Sequence, residues 1–326
     1  MRRRSALLGA AGALASPFPA FAQDAGDFPN RAVTMVVAFP PGGQADVVAR
    51  PVAAALERIW RQPVPISNRG GASGEIGNAS VARAQPDGYT LLMALSSVSV
   101  LPEAARLFGR QPAYELDQFA PVALFTADPT VLVVPASAPW RTVEEFLAAA
   151  RARPGSISYS SAGNYSALHV PMAMLASAAG IDMLHVPFQG GGPALTALLG
   201  GQVQALSSGP GPAAPHIRDG RLRALACWGA RRLAEFPDVP SLIERGFPEC
   251  EYYIWTGVCA PAGTPAPVLE GLRRALAAAA QDGELRRAVS ASGNTLDHRD
   301  GEVFAAFFRE DSARLARAVR RIGKVE

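Results

Sequence analysis

The stretch VVAFPPGGQADVVARPVAAALERIW, residues 36–60, decides the fold. Val36 to Phe39 form an apolar run of strand length, and Pro40 to Gly43 make a turn. From Ala45 to Trp60 the apolar side chains recur at helical spacing, including Val48, Val52, Ala55 and Leu56. A strand that turns straight into an amphipathic helix is the first half of a βαβ unit. The first amides of a helix have no intrahelical partner, and the helix dipole adds partial positive charge at that end. Gly42 and Gly43 carry no side chains to cover those amides, so the turn can hold an anion. Asp46 lies in the first helical turn, where it can cap amides or orient a water. PPGG is equally readable as a plain tight turn between strand and helix.

The same alternation continues along the chain. Strands are predicted at residues 33–39, 63–67, 89–94, 131–135, 157–160, 183–187, 205–207 and 222–226, and helices at 45–60, 143–151, 167–178 and 193–199. This is an α/β protein with parallel-rich sheets flanked by helices, and such sheets bring their loops together at the carboxyl ends of the strands. Proline-bracketed crossings at 125–140 and 249–265 divide the chain into a domain of residues 23–124 plus 252–326 and a domain of residues 125–251. The ligand cleft is expected between them. The helical region after Ala266 carries arginines mixed with acids, including Arg273, Arg286, Arg314 and Arg317, and reads as a solvated face.

The amino terminus, MRRRSALLGAAGALASPFPAFAQ, has a basic start, an apolar run too short to span a bilayer and a small-residue exit at Ala20 to Ala22. Residues 1–22 therefore read as an export signal cleaved near Gln23, by a general or a twin-arginine route, and the protein is expected in the periplasm. The formal charge of +3 equals the contribution of Arg2, Arg3 and Arg4, with no acidic residue before Asp24, so the remainder is neutral. A neutral chain offers no basic face for nucleic acid or a membrane surface. Roughly 300 residues remain, with 49% of the whole chain apolar, enough for two domains with their own cores. Cys227, Cys250 and Cys259 are too few for a disulfide scaffold and read as small hydrophobes. Spacing alone does not establish whether Cys250 and Cys259 pair.

Two further loops repeat the opening design. ISYSSAGNYSALHVPMAML, residues 157–175, runs from a strand through Ser160, Ser161, Ala162, Gly163 and Asn164 into a helix starting near Ser166. HVPFQGGGPALTALL, residues 185–199, places three glycines before a helix. Three small-residue loops shared between two domains would converge on one cleft, and a small carboxylate is the natural guest. NRGGASGEIG, residues 68–77, lacks the lysine and hydroxyl of a P-loop and the spacing of a dinucleotide fingerprint, so it reads as a structural turn. No nucleophile elbow is present, and Ser161 and His169 stand two helical turns apart. His169, His185, His216 and His298 show no metal-ligand spacing. Neither a metal nor a cofactor is expected, and the protein does not read as an enzyme.

In order along the chain, AFPPGGQADVVAR, NRGGASGEIG, QPDGYTLLM, FAPVALF, YSSAGNYSALH, HVPFQGGGPALTALLGGQV, PHIRDGRLRALA, FPDVPSLIERGFP and APAGTP resemble the solute-binding receptors of tripartite tricarboxylate transporters, the Bug family of periplasmic binding proteins. The resemblance covers nearly all of the chain after the export segment. It implies a two-domain Venus-flytrap fold of the type II periplasmic kind, monomeric, closing on a small carboxylate and docking on membrane permease subunits. It maps one carboxylate onto Pro41, Gly42, Gly43 and Asp46. The opposing contacts map onto Ser161, Gly163, Asn164, Ser166 and His169, with Gln189 and Gly190 from the next loop, and Ser96 and Ser97 line the floor. Ala45 stands where the family commonly has a hydroxyl residue. Gln204, Ser207 and Ser208 stand where it commonly has acidic and aromatic residues, which implies a ligand without a positively charged amine. A periplasmic sensor feeding a signalling partner, and a hydrolase using Ser161 as nucleophile, are the rival readings.

Overall fold

The computed structural model describes residues 28–325, so the expected export segment and its cleavage near Gln23 lie outside the described residues. The first lobe is built from β1 (Thr34–Val37), α1 (Gln44–Trp60), β2 (Ile66–Asn68), α2 (Glu75–Ala82), β3 (Thr90–Leu95), α3 (Leu101–Leu107) and β4 (Phe119–Pro129). The chain crosses at Thr130 into a second lobe of β5 (Val131–Pro135), α4 (Val143–Ala152), β6 (Ser158–Ser161), α5 (His169–Ala179), β7 (Leu184–Pro187), α6 (Gly191–Leu199), β8 (Ala205–Ser208), α7 (Pro210–Arg218) and β9 (Leu222–Cys227). It returns through residues 228–252 as β10 (Tyr253–Pro261) and ends with α8 (Ala266–Gln281), α9 (Gly283–Ala291) and α10 (Gly301–Ile322).

Each lobe holds a five-stranded sheet, in the orders β2-β1-β3-β10-β4 and β7-β6-β8-β5-β9. The sheets are parallel-rich, as the strand–helix alternation suggested, with one strand of each reversed. β1 pairs parallel with β2 and β3, and β6 parallel with β7 and β8. β10 and β5 run against both of their neighbours. The reversed strand is in each case the one that arrives from the other lobe, with no helical crossover of its own lobe to hold it parallel. The change of sheet falls at Thr130 rather than after residue 124, because Thr126 to Pro129 remain paired with Tyr253 to Thr256.

The strands next to the cleft are inside on both faces. Met35, Val36 and Val37 of β1 and Leu91 to Ala94 of β3 are buried, which is why these segments read as continuous apolar runs. Helix α1 covers them with Val48, Val52, Ala55 and Leu56, each such side chain contributing about 1.5–3 kcal/mol for the larger members. Helix α10 packs on β4 and also on α5 of the second lobe. Arg314, expected on a solvated face, is half-buried there: it donates to the Glu251 carbonyl and to Asp311, both at 2.6 Å, while Asp311 accepts from the Trp255 indole at 2.7 Å. Cys227, Cys250 and Cys259 are all buried free thiols, so Cys250 and Cys259 do not pair. No helix among the described residues is long and apolar enough to cross a membrane.

Candidate functional site

The loop after β1 is shaped by Asp46. Its carboxylate accepts the Gly42 amide at 3.0 Å, both Arg50 Nε and Nη2 at 2.9 Å, and Asn68 Nδ2 at 3.0 Å. Asn68 also donates to the Phe39 carbonyl at 2.9 Å, tying the end of β1 to the loop. Burial pushes the Asp46 carboxyl up, but the bonds from Arg50, the Gly42 amide and Asn68 outweigh it and hold it below the usual carboxylate range. Asp46 is thus engaged by its neighbours, and its contact with the Gly42 amide is the amide-capping role open to it from its position in the first helical turn. What it leaves open is the start of α1, whose N-cap Gly43 provides no side-chain cap.

Helices α5, α6 and α7 likewise begin without a side-chain cap, at Leu168, Gly190 and Gly209. By contrast α4, α9 and α10 are capped by Thr142, Asp282 and Asp300. Helices α2, α3 and α8 also start without a side-chain cap; the starts of α1, α5, α6 and α7 are the ones that follow β1, β6, β7 and β8, at the carboxyl ends of strands that run in one direction within each sheet, where an α/β fold gathers its ligands.

In the second lobe, Ser161 ends β6 and accepts the Gly163 amide at 3.1 Å, while its hydroxyl lies 2.6 Å from His185 Nε2. His169 Nδ1 accepts the Tyr165 amide at 3.1 Å, which places the proton of the neutral ring on Nε2. The two imidazoles lie 4.3 Å apart, and Tyr159 stacks on His185 at 4.9 Å. Burial lowers His185 to about 4, and burial with the neighbouring His185 lowers His169 to about 3, so both rings are neutral at physiological pH. Helix α5 starts at His169, later than expected, because Gly163 to Leu168 form the loop that these rings support. His185 was absent from the residues expected at the site. The signal for it is strand register, since Tyr159 of β6 pairs with His185 of β7.

The expected residues separate into an interior and a rim. Gly43, Ser96, Ser97, Ser161, Ser166, His169, Gly190, Ser207 and Ser208 are buried. Pro41, Gly42, Asn164 and Gln189 are exposed and Gly163 is half-buried. Within it Ser96 meets the Tyr252 hydroxyl at 3.2 Å and Ser208 donates to the Gly209 carbonyl at 3.0 Å. The hydroxyls of Ser97, at the end of β3, and Ser207, on β8, are buried with no hydrogen-bond partner, as is Gln44 Oε1 at the start of α1. Leaving such a group unpaired costs about 1–3 kcal/mol, and buried polar atoms elsewhere in proteins are paired. Gln204 is not part of this interior: its Oε1 accepts the Ser158 amide at 3.0 Å, at the opposite end of the sheet.

Two of the contacts between the lobes involve the loops of the site. A side chain on Gly192 would meet the Pro41 carbonyl at 2.6 Å, so only glycine permits the approach of the first loop to the third. The second loop meets residues 72–74 instead, where Ser73 Oγ donates to the Asn164 carbonyl at 2.7 Å. The stretch 68–77, expected to be only a structural turn, therefore supplies an interlobe contact. A cavity of 570 Å³ beside it is lined by Ser73, Asn164, Tyr165 and Phe108. Among the described residues no group of three or more His, Cys, Asp or Glu side chains could hold a metal.

Residues 48–324 match the model of the tripartite tricarboxylate transporter family receptor, TctC. Protein BugT of Bordetella pertussis is 35% identical over 298 residues, 91% of this chain and 90% of BugT. MatC of Rhodopseudomonas palustris, solved with bound malate, is 33% identical with a TM-score of 0.84, covering 89% of this chain and 99% of MatC. A second R. palustris protein, solved with adipate, is 28% identical with a TM-score of 0.85, covering 91% of this chain and 99% of that one.

Proposed function

Because the chain belongs to the tripartite tricarboxylate transporter receptor family, we propose that it is a periplasmic receptor that closes its two lobes on a small organic carboxylate and delivers it to a membrane permease. The observation that carries the reading is the set of uncapped helix starts that follow the parallel strands of both lobes, with a buried, unpartnered hydroxyl in each lobe, Ser97 in the first and Ser207 in the second. These donors are neutral, and neutral donors bind an anion through charge-assisted hydrogen bonds of about 1.5–3 kcal/mol each. A handful suffices for micromolar affinity, about 8 kcal/mol.

The ligand carries no ammonium group. Ser207 and Ser208 offer no negative charge to meet one, and the Asp46 carboxylate is already engaged by Arg50, Asn68 and Gly42. Dicarboxylates, hydroxy acids and aromatic carboxylates remain, the class to which the malate and adipate of the related structures belong. Export through residues 1–22 and a monomeric state go with this reading.

A hydrolase using Ser161 is favoured by one observation, the 2.6 Å contact with His185. Against it, an imidazole lowered to about 4 is a weak base at neutral pH, and its ring neighbours are Tyr159 and His169, with no carboxylate to orient it. A sensor would bind the same ligand and differ only in its partner.

A thermal-shift screen of malate, adipate, aromatic carboxylates and amino acids against the exported chain tests the proposal, since a ligand at 100 times its Kd adds about 2.7 kcal/mol of apparent stability. A rise with carboxylates, without their conversion, is expected. Preference for an amino acid over its deaminated analogue overturns the ligand class, and turnover lost in Ser161→Ala overturns the receptor.

A further inference from the structure

We propose that Gln44 is a positioning residue for lobe closure, seated in a notch that the second lobe forms for it with Gly209 and Gly211; the proposal rests on the receptor reading above. Gln44 is buried in the first turn of α1, in the first lobe, and its Nε2 donates to Asn294 Oδ1 at 2.6 Å. Asn294, after α9, is held in turn by donating to Ser292 Oγ at 2.8 Å. The amide of Gln44 points across the cleft at the start of α7. A Cβ on Gly209 would meet Gln44 Oε1 in hard collision, with Gln44 Cδ at 2.8 Å and Cγ at 3.1 Å. A Cβ on Gly211 would meet Gln44 Oε1 at 2.9 Å and Asn294 Nδ2 at 2.5 Å.

Gly209 has φ −65° and ψ 153°, a conformation that any L-residue adopts. Its backbone gives no reason for glycine; the side chain of Gln44 from the other lobe does. The same flank brings Ala214 of α7 against Gly293, and Arg218 donates across it to the Ala291 carbonyl at 3.0 Å. Gln44 Oε1 itself has no donor. The contact is therefore one of shape: it sets how far the lobes can close, while the unpaired oxygen keeps it from locking them shut.

Closure can be read without any ligand. Gly43 and Gly191 face each other across the neighbouring seam, a Cβ on Gly191 lying 3.6 Å from the Gly43 Cα. The pair Gly43→Cys and Gly191→Cys should form a disulfide at a rate proportional to the closed fraction. In that background Gly209→Ala is expected to slow cross-linking by about tenfold or more, with Gln44→Ala restoring it when added. Gln44→Arg, which overfills the notch from the other lobe, is expected to slow it alone, and this second variant serves if Gly209→Ala does not fold by circular dichroism. Cross-linking of Gly209→Ala at the parental rate, a loss that Gln44→Ala does not repair, or no cross-link in the parental pair overturns the proposal. Normal cross-linking behaviour with no carboxylate shifting the melting temperature would instead overturn the receptor reading and leave the notch standing.

Discussion

Both oxygens of Asp46 are engaged by groups of its own lobe, and the loop that presents the α1 amides depends on them. Asp46→Ala is expected to destabilise the protein by about 1.5–3 kcal/mol, the range for hydrogen bonds to a charged group, and to weaken carboxylate binding because the Gly42 amide loses its anchor. Urea unfolding at pH 7 reads the first effect. The folded carboxyl titrates below the ordinary 3.8, so its contribution is present above that value and disappears as pH falls through the lower folded value. The histidine pair has its own window. His185 and His169 are lowered from 6.5 to about 4 and about 3. Between these values the unfolded chain binds protons that the folded one refuses, so stability is full above pH 6.5 and declines as pH falls toward 4. The groups facing the pair are Tyr159, Tyr165 and Ser161, none of which titrates in this window. The melting temperature of His185→Gln should fall less steeply between pH 7 and 4.5 than that of the parent; equal slopes would mean that the rings are not held neutral by burial.

At the scale of elements, the reversed strand β10 carries a tight constraint. A Cβ on Gly257 would meet the Phe304 ring of α10 at 2.5 Å and the Ala123 carbonyl at 3.1 Å, at a point where the register with β4 shifts. Gly257→Ala is expected to cost about 1–3 kcal/mol by overpacking, seen as a lower urea midpoint with an unchanged slope. No sequence signal announces that constraint, because the ring that imposes it lies more than forty residues away. The strand–turn–helix units were legible for the opposite reason. Residues 36–60 hold their strand, turn and helical stripe in one local pattern, and β1 and α1 form there. Pairing direction is nonlocal, so β5 looked like any other strand, and residues 253–261, read only as part of a crossing between domains, gave no sign that they form the reversed strand β10. The site divides in the same way: Ser161 followed from the strand–loop–helix pattern, Ser96, Ser97, Ser207 and Ser208 from the family resemblance, whereas His185, Gln44 and Ser73 act through cross-strand or cross-lobe neighbours that no window of sequence contains.

For the whole molecule, affinity is set by how readily the lobes close as well as by what the ligand touches, since a ligand that binds only the closed form has an apparent Kd scaled by the closed fraction. Ser73 separates these contributions. Ala72 and Ser73 both sit at positive φ, 47° and 58°, a region that costs non-glycine residues on the order of 1–3 kcal/mol. The turn keeps a serine there, and that serine reaches the Asn164 carbonyl of the other lobe. Ser73→Ala removes one interlobe hydrogen bond and keeps the strained backbone. With a net value of about 0.5–1.5 kcal/mol, its loss should weaken ligand affinity by roughly two- to tenfold while leaving the unliganded melting temperature nearly unchanged. Ser73→Gly removes the same bond but relieves the backbone, so it should bind as weakly as Ser73→Ala and melt higher without ligand. Isothermal titration with whichever carboxylate gives the largest thermal shift, beside unliganded melting curves of the three proteins, reads both quantities. Parental affinity in both variants would mean that the seam between residues 72–74 and the Ser161 loop does not bias closure, and that the free energy of the closed state resides in the Gln44 flank and in the ligand itself.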